Sequence, residues 1–491
     1  MREPGRQTVG VFPASAQPRS ARLLAALEAA FPVRFEPRDP SELRDLDAVL
    51  VLGDGEAAKT TTTGGLPALR LLAPEPVAAG TIAHQTLASA PELDRRLHGA
   101  ELPDARLASA LGAAVPPPPE RATAIASCDG VPTWTRRGPL QTALLFPHEL
   151  GPAEALRERL CEDRNAALLP LVHFLRELSA EQGWEPPATR AAFLFDDPNL
   201  HWPSYGFVNL SELGEHARRH RYHVALATIP LDGWYAHPQA LRALRESRGH
   251  LSLLVHGNDH YGGELGRLRS EAEALAHAAQ ALRRVRAFER RTGVPVDPVM
   301  VPPHEECSRA AVVALRRCGF EALTVTQPYP WLGDGGRSWL AHPPEAGPLV
   351  GWHPADSVEG LPVLLRHPVV GRSLPEMTLR AFLGQPLILY GHQKDLGEGL
   401  DVLAEAAADV ERLGPTQWRS LGEIAAAAYE ITPRPSSPAD DAVDPELVPP
   451  PRPRPLAVPR RILSESRDRL QPLLLLLVGG KGNRRLERST L

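Results

Sequence analysis

Between Ala191 and Tyr429 the chain carries short, wholly apolar runs, many with polar or ionisable residues directly behind them. The runs are Ala191 to Phe195 (AAFLF), Val224 to Thr228 (VALAT), Leu251 to Val255 (LSLLV), Val299 to Val301 (VMV), Ala322 to Val325 (ALTV), Leu361 to Leu365 (LPVLL) and Leu387 to Tyr390 (LILY). A run that is apolar throughout, with no alternation, fits a strand buried on both faces. Helical patterns separate the runs. The clearest is Leu268 to Arg291, where Leu268, Ala272, Leu275, Ala279, Leu282 and Val285 hold an apolar stripe among Arg and Glu and Gly293 supplies a stop. Strand and helix alternating over seven runs predict a parallel (β/α) barrel of about seven strands.

The preceding region reads differently. Thr8 to Phe12 (TVGVF), a helical stretch from Ser20 to Ala30 and a second run from Leu46 to Leu52 (LDAVLVL) make a βαβ pattern. That pattern predicts a smaller parallel α/β domain, flavodoxin-like or amidotransferase-like, serving as a scaffold. Pro116 to Pro119 interrupt it, and Thr123 to Ser127 and Thr142 to Phe146 add strands. After Pro433 the segment SSPADDAVDPELVPPPRPRPLAVPRR is too rich in proline and charge to bury a core, and a disordered tail is expected. The expected division is thus 1–185 for the α/β domain, 186–432 for the barrel and 433–491 for the tail.

Bulk properties narrow the partners. A formal net charge of −5 over 491 residues, with both signs interspersed, gives no electrostatic footprint for nucleic acid or a membrane surface. A small-molecule or glycan substrate is expected instead. The cysteines Cys128, Cys161, Cys307 and Cys318 show no CxxC spacing, so neither a thiolate zinc site nor a disulfide framework is indicated. The first residues hold no apolar stretch of signal-peptide length, and a cytoplasmic location is expected.

In a parallel barrel the loops behind the strands gather side chains around one mouth, so chemistry is sought in the residues just behind each run. AAFLF is followed by Asp196 and Asp197, LSLLV by His256 and, four residues on, His260, VMV by Pro302, Pro303, His304 and Glu305, and LILY by Gly391 and His392. A carboxylate with two imidazoles suits Zn²⁺ or a similar divalent ion and leaves positions open for water and substrate. Gly257 and Asn258 between the histidines predict a loop in place of a regular zincin helix. Adjacent side chains in extended backbone diverge, so one of Asp196 and Asp197 can bind metal while the other stays free. A free carboxylate beside a metal-bound water suits general-base hydrolysis, and His392 can protonate a leaving group.

The order FDD, HxxxH, a PP-containing loop and a late strand ending in His resembles the polysaccharide deacetylases of the NodB-homology type, carbohydrate esterase family four, over residues 190 to 430. The resemblance implies an irregular (β/α) barrel, Asp196 as catalytic base, Asp197, His256 and His260 as metal ligands, His392 as general acid, and a metal-dependent deacetylase acting on C–N or ester bonds of an acetylated sugar. Pro303, His304 and Trp202 are the expected substrate contacts. The sequence departs from the family pattern at Pro198, at Gly257 and at Val301, which stands where the family's third motif places an Arg that holds the catalytic Asp. Trp352 and Asp356 are candidates for its fourth motif. Taken singly, an Asp-Asp pair is most often a solvated turn and an HxxxH spacing a coincidence; their joint order at strand ends is what favours a site. The alternative is a deacetylase-like pseudoenzyme or carbohydrate-binding scaffold, which the absent Arg favours.

Overall fold

The computed structural model describes residues 6–39, 42–53, 63–112, 121–181, 183, 187–332, 340–431, 441–452, 458–459, 461–463, 466 and 470. Its centre is a closed parallel barrel of seven strands: Thr189–Asp196, Val224–Thr228, Leu251–His256, Val299–Val301, Ala322–Val325, Leu361–Pro368 and Leu387–Gly391. Numbered one to seven in this order, each pairs in parallel with the next. The first closes the ring by pairing with both the second (Phe193 opposite Val224) and the seventh (Phe195 opposite Gly391). All seven apolar runs are strands. The ring is irregular at two places, where Asp356–Val358 runs antiparallel beside strand six and Thr416–Trp418 pairs with the start of strand one.

Alternation along each strand decides what the barrel encloses. Ala192, Leu194, Ala225, Ala227, Leu254, Val299, Val301, Leu364 and Ile388 form the inner cluster, and Leu421, Ile424, Ala425 and Ala428 from the helix Leu421–Ile431 complete it. The other phase, including Phe193, Phe195, Leu226, Leu253 and Leu389, faces the outer helices. Among these helices, Glu271–Thr292 lies on the predicted stripe. It starts at Ser270, whose side chain accepts from Glu273 N–H, and ends at Gly293 with φ +67°.

The preceding sheet is parallel through Val33–Pro37, Gln7–Phe12, Ala48–Leu52 and Ala68–Pro74, and Leu140–Phe146 adds a fifth parallel strand. It then continues antiparallel through Val131–Arg137, Thr123–Cys128, Ala83–Leu87 and Glu101–Asp104. The antiparallel part arises from a tight turn at Asp129-Gly130, both at positive φ, which folds Val131–Arg137 back on the strand before it. The sheet and the barrel share apolar packing. Leu379, Phe382 and Leu383 of the barrel helix Leu374–Leu383 lie in one cluster with Leu93, Leu97, Trp134 and Leu169 of the first region.

In the segment expected to lack structure, the described residues pack on the barrel. Asp441 pairs with Arg316, Arg283 donates to the carbonyl of Val448, and Arg461 pairs with Asp232. These are point contacts by arginines, which need no apolar core of the segment's own. The remaining tail residues lie outside the described set.

Candidate active site

Strand phase carries the site. Asp196 continues the inward series Ala192, Leu194; His256 follows Leu254; Arg366 follows Leu364; and His392 follows Ile388 and Tyr390. Asp196, His256 and Arg366 therefore project into the same end of the barrel, the end to which the strand C-termini lead, and His392 begins the loop beyond strand seven. The partner register sets Gly391 beside Phe195, so His392 begins the loop next to Asp196.

The Asp pair splits in two directions. Asp196 is 3% exposed and accepts from Arg366 Nη1 at 2.9 Å. Asp197, at φ +76°, turns its Oδ1 toward His260 Nε2 at 3.2 Å and His256 Nε2 at 3.6 Å. A non-glycine residue at positive φ is uncommon and is kept only where surroundings enforce it. His260 (φ +51°), His304 (φ +56°) and Glu305 (φ +60°) share that conformation, so strain gathers at this mouth.

The loop carrying the histidines is built by two devices. Glu264, fully buried, collects the backbone N–H groups of Asn258, Asp259 and His260 at 2.6, 3.0 and 3.1 Å. Gly257, at φ +61°, has no room for a side chain: a Cβ there would lie 2.4 Å from Glu264 Oε1 and 2.6 Å from Pro303 Cγ. His256 is fixed from behind, its Nδ1 donating to the carbonyl of Val301 at 2.9 Å, which turns Nε2 toward Asp197.

Donor atoms of Asp197, His256 and His260 all lie within 4.8 Å of one another. Asp197 Oδ1 is buried, and no hydrogen-bond donor among the described residues satisfies it. One carboxylate and two imidazole nitrogens facing a common point, with the carboxylate oxygen unsatisfied, is a donor set that fits a divalent cation. Burial opposes ionisation of Asp197, but the two imidazoles outweigh it and hold the carboxyl far below the usual carboxylate range. Burial and the neighbouring His256 push His260 down to about 4, so its imidazole is neutral at neutral pH.

The guanidinium that the sequence lacks at position 301 comes from elsewhere. Arg366, 3% exposed at the end of strand six, bonds Asp196 on one side and Glu305 on the other, with Nε 2.8 Å from Glu305 Oε1, and its guanidinium carbon sits 4.2 Å from the centre of the Tyr390 ring. Glu305 in turn accepts from the backbone N–H of Thr326 at 2.9 Å.

Of the expected substrate contacts, His304 is exposed with its ring 5.3 Å from that of His260, Pro303 is buried against Gly257, and Trp202 is 57% exposed. Trp352 and Asp356 are not at this mouth. Trp352 packs against Phe31 at 6.4 Å between ring centres, in the core shared with the first region, and Asp356 accepts from the backbone N–H of Gly351 beneath it. Their apolar surroundings and local bonding account for that placement. No described helix is long and apolar enough to cross a membrane.

No family model matches the sequence, and no curated protein matches it. Solved structures do resemble it. The chain is similar in structure to polysaccharide deacetylases and family 4 carbohydrate esterases. A Mycobacterium smegmatis protein described as a candidate polysaccharide deacetylase aligns at TM-score 0.35 and 16% identity, over 52% of this chain and 96% of that one. A family 4 acetyl xylan esterase from Clostridium thermocellum, in complex with a cobalt ion, aligns at TM-score 0.29 and 10% identity, over 52% and 98%. The peptidoglycan deacetylase PdaC from Bacillus subtilis aligns at 0.23 and 15%, over 47% and 98%. Likeness this slight assigns neither substrate nor metal; the strand order and side-chain geometry described above stand without it.

Proposed function

We propose that the chain is a divalent-metal-dependent hydrolase that removes acetyl groups from an acetylated sugar, cleaving a C–N or ester bond. The observation that carries this reading is Asp196 gripped by Arg366 at 2.9 Å beside the Asp197, His256 and His260 donors. An arginine at that distance fixes the direction of the carboxylate, as a general base needs. Asp197, His256 and His260 would hold the metal. When bound, a divalent ion there supplies Lewis acidity toward a carbonyl oxygen and lowers the pKa of a coordinated water.

The chain's own groups do the rest. Asp196 takes the proton of the attacking water and, held by Arg366, cannot swing away with it. His392, on the neighbouring strand end, returns a proton to the departing nitrogen or oxygen. Glu264 and the Val301 carbonyl hold the loop and ring of the histidine ligands in place, and Pro303 closes against Gly257 behind them. His304 and Trp202 would meet the sugar. The pseudoenzyme reading rested on Val301 standing where an Arg was expected, and Arg366 answers it by holding the same carboxylate from strand six. Zinc is the metal favoured by the donor set, since imidazole and carboxylate nitrogen and oxygen ligands suit it.

The test is metal analysis of purified protein followed by acetate release from N- and O-acetylated oligosaccharides, for the parent and Asp196→Asn. Stoichiometric metal with acetate release that Asp196→Asn abolishes supports the reading. Bound metal with no release from any acetylated substrate would sink it.

A further inference from the structure

Beside the mouth lies a cleft of about 540 Å³ that the proposed chemistry does not use. One wall is the loop behind strand two, Pro230 to Trp234; the other comes from the C-terminal segment through Val458, Arg461 and Ile462. Arg461 is 7% exposed and gives Nε to Asp232 Oδ2 at 3.2 Å, with Nη2 on the same carboxylate. Among the described residues no acceptor engages its Nη1, so that end of the fork keeps its donors. Arg284, which also lines the cleft, gives Nη1 to the carbonyl of Asn258 at 3.0 Å, in the loop between His256 and His260, so the cleft borders that loop.

The cleft's other lining groups sharpen its chemistry. Arg284 and Arg291 line it with Arg461; Arg461 is paired with Asp232 and Arg284 with Asp259, while Arg291 reaches the carbonyl of Gly233. Trp234 is 70% exposed, tilted against His201 at 4.9 Å and against Tyr235 at 5.8 Å. An exposed aromatic face flanked by arginines, in a concave site next to reactive groups, suits a ring that is apolar on one face and carries a carboxylate at its edge.

We propose that the C-terminal segment is a wall of the substrate cleft, and that Arg461 and Trp234 bind the non-reacting hexuronic-acid unit of an acetylated acidic glycan. The proposal rests on the hydrolase reading for the position of the acetyl group, but the binding it asserts does not require turnover. Asp232 serves as the brace that orients Arg461, and the bidentate fork is what a carboxylate recognises.

The experiment is calorimetric titration of full-length Asp196→Asn protein with an acetylated oligosaccharide containing hexuronic acid and with its carboxyl-reduced, neutral counterpart. The acidic form is expected to bind about tenfold tighter. Adding Arg461→Lys, which keeps a charge for Asp232 but loses the fork, should remove most of that preference. Adding Trp234→Ala should weaken both ligands alike. Truncation after Arg452 should behave as Arg461→Lys does for the preference. Equal affinity for the two ligands, or a preference that survives both Arg461→Lys and truncation, overturns the proposal, as does tighter binding after truncation, which would make the segment a cover. Acetate release by the parent with no such preference overturns this inference alone; the preference without acetate release overturns the hydrolase reading alone.

Discussion

Two buried arginine clusters sit on either side of strand six, and they are built in opposite proportions. At the mouth one guanidinium, Arg366, serves two carboxylates, Asp196 and Glu305, with the ionised Asp197 close by. At the junction with the first region two guanidiniums, Arg157 and Arg380, converge on one carboxylate, Glu376, at 2.6 and 2.7 Å. The junction is walled by apolar groups of both regions, and its acid has two guanidiniums on one oxygen, Oε1. The mouth has more carboxylates than guanidiniums, a carboxylate oxygen with no hydrogen-bond donor among the described residues, and four residues at strained φ. A buried excess of carboxylate is costly unless something positive enters, whereas a carboxylate flanked by arginines is complete as it stands. The mouth thus has the charge balance of the proposed cation site, and the junction that of a clasp. The same residue types are expected to carry function in one place and cohesion in the other because of stoichiometry.

Removing one carboxylate from each cluster should break the comparison if it is wrong. Asp196→Asn is expected to lower acetate release by roughly 10²–10⁴-fold, the range for losing a general base, with metal content and thermal unfolding little changed. Glu376→Gln should do the reverse. It leaves Arg157, which is 0% exposed, and Arg380 without their shared anion, and a stability loss of about 3–5 kcal/mol in denaturant unfolding is expected, with turnover per folded molecule retained. The pH response comes from burial and the two arginines: burial opposes ionisation of Glu376, the arginines prevail, and its carboxyl sits down at about 2 against an ordinary 4.5. Stability from this group is therefore present above pH 4.5 and lost as pH falls from 4.5 toward 2. Glu376→Gln should lack that acid-side loss. Unfolding free energies of equal size for both variants would dissolve the distinction between site and clasp.

The cation itself separates the clusters next. Saturating Zn²⁺ at about 100 times its dissociation constant should stabilise the parent by about 2.7 kcal/mol, seen as a metal-dependent rise in Tm. His256→Ala should lose both the bound metal and that rise, while Glu376→Gln keeps them on a lowered baseline. A metal-dependent rise undiminished in His256→Ala would place the cation elsewhere.

How much of this was legible in the sequence depends on how far each feature is local. Barrel strands buried on both faces must be apolar throughout, so AAFLF through LILY announced themselves, and the residue behind each run, one step further in the same phase, marked Asp196, His256 and His392. Arg366 was available by the same rule, since it directly follows LPVLL, but an arginine behind a strand reads as a solvated end until its partner across the ring is known. Its partner Asp196 lies 170 residues away. The strand Val131–Arg137, VPTWTRR, hides behind a proline and two arginines, although the Asp129-Gly130 pair before it is a hairpin signal. Val33–Pro37 was missed because only alternate positions are apolar. Arg461 was beyond reach: composition reports that a proline-rich segment has no core of its own, and says nothing of one guanidinium finding Asp232 across 229 residues.

The smallest expected effect probes the junction from its other acid. Asp356 accepts from the Gly351 N–H at 3.0 Å, but burial dominates and pushes its carboxyl up to about 7 from an ordinary 3.8, despite the nearby Arg380. The sign is opposite to that of Glu376. A folded-state value above the unfolded one means that the folded chain holds the proton more tightly, so the contribution is fully present below pH 3.8 and is lost as pH rises toward 7. Between pH 5 and pH 7 the parent should lose on the order of 1–2 kcal/mol relative to Asp356→Asn, whose amide keeps the hydrogen bond and cannot ionise. Tm measured for both proteins in steps across this range isolates the group, because every other titration is common to the pair. Parallel curves would mean that Asp356 is ionised and that the arginines of the clasp serve two anions, which would make the junction as rich in carboxylate as the mouth and remove the asymmetry on which the distinction rests.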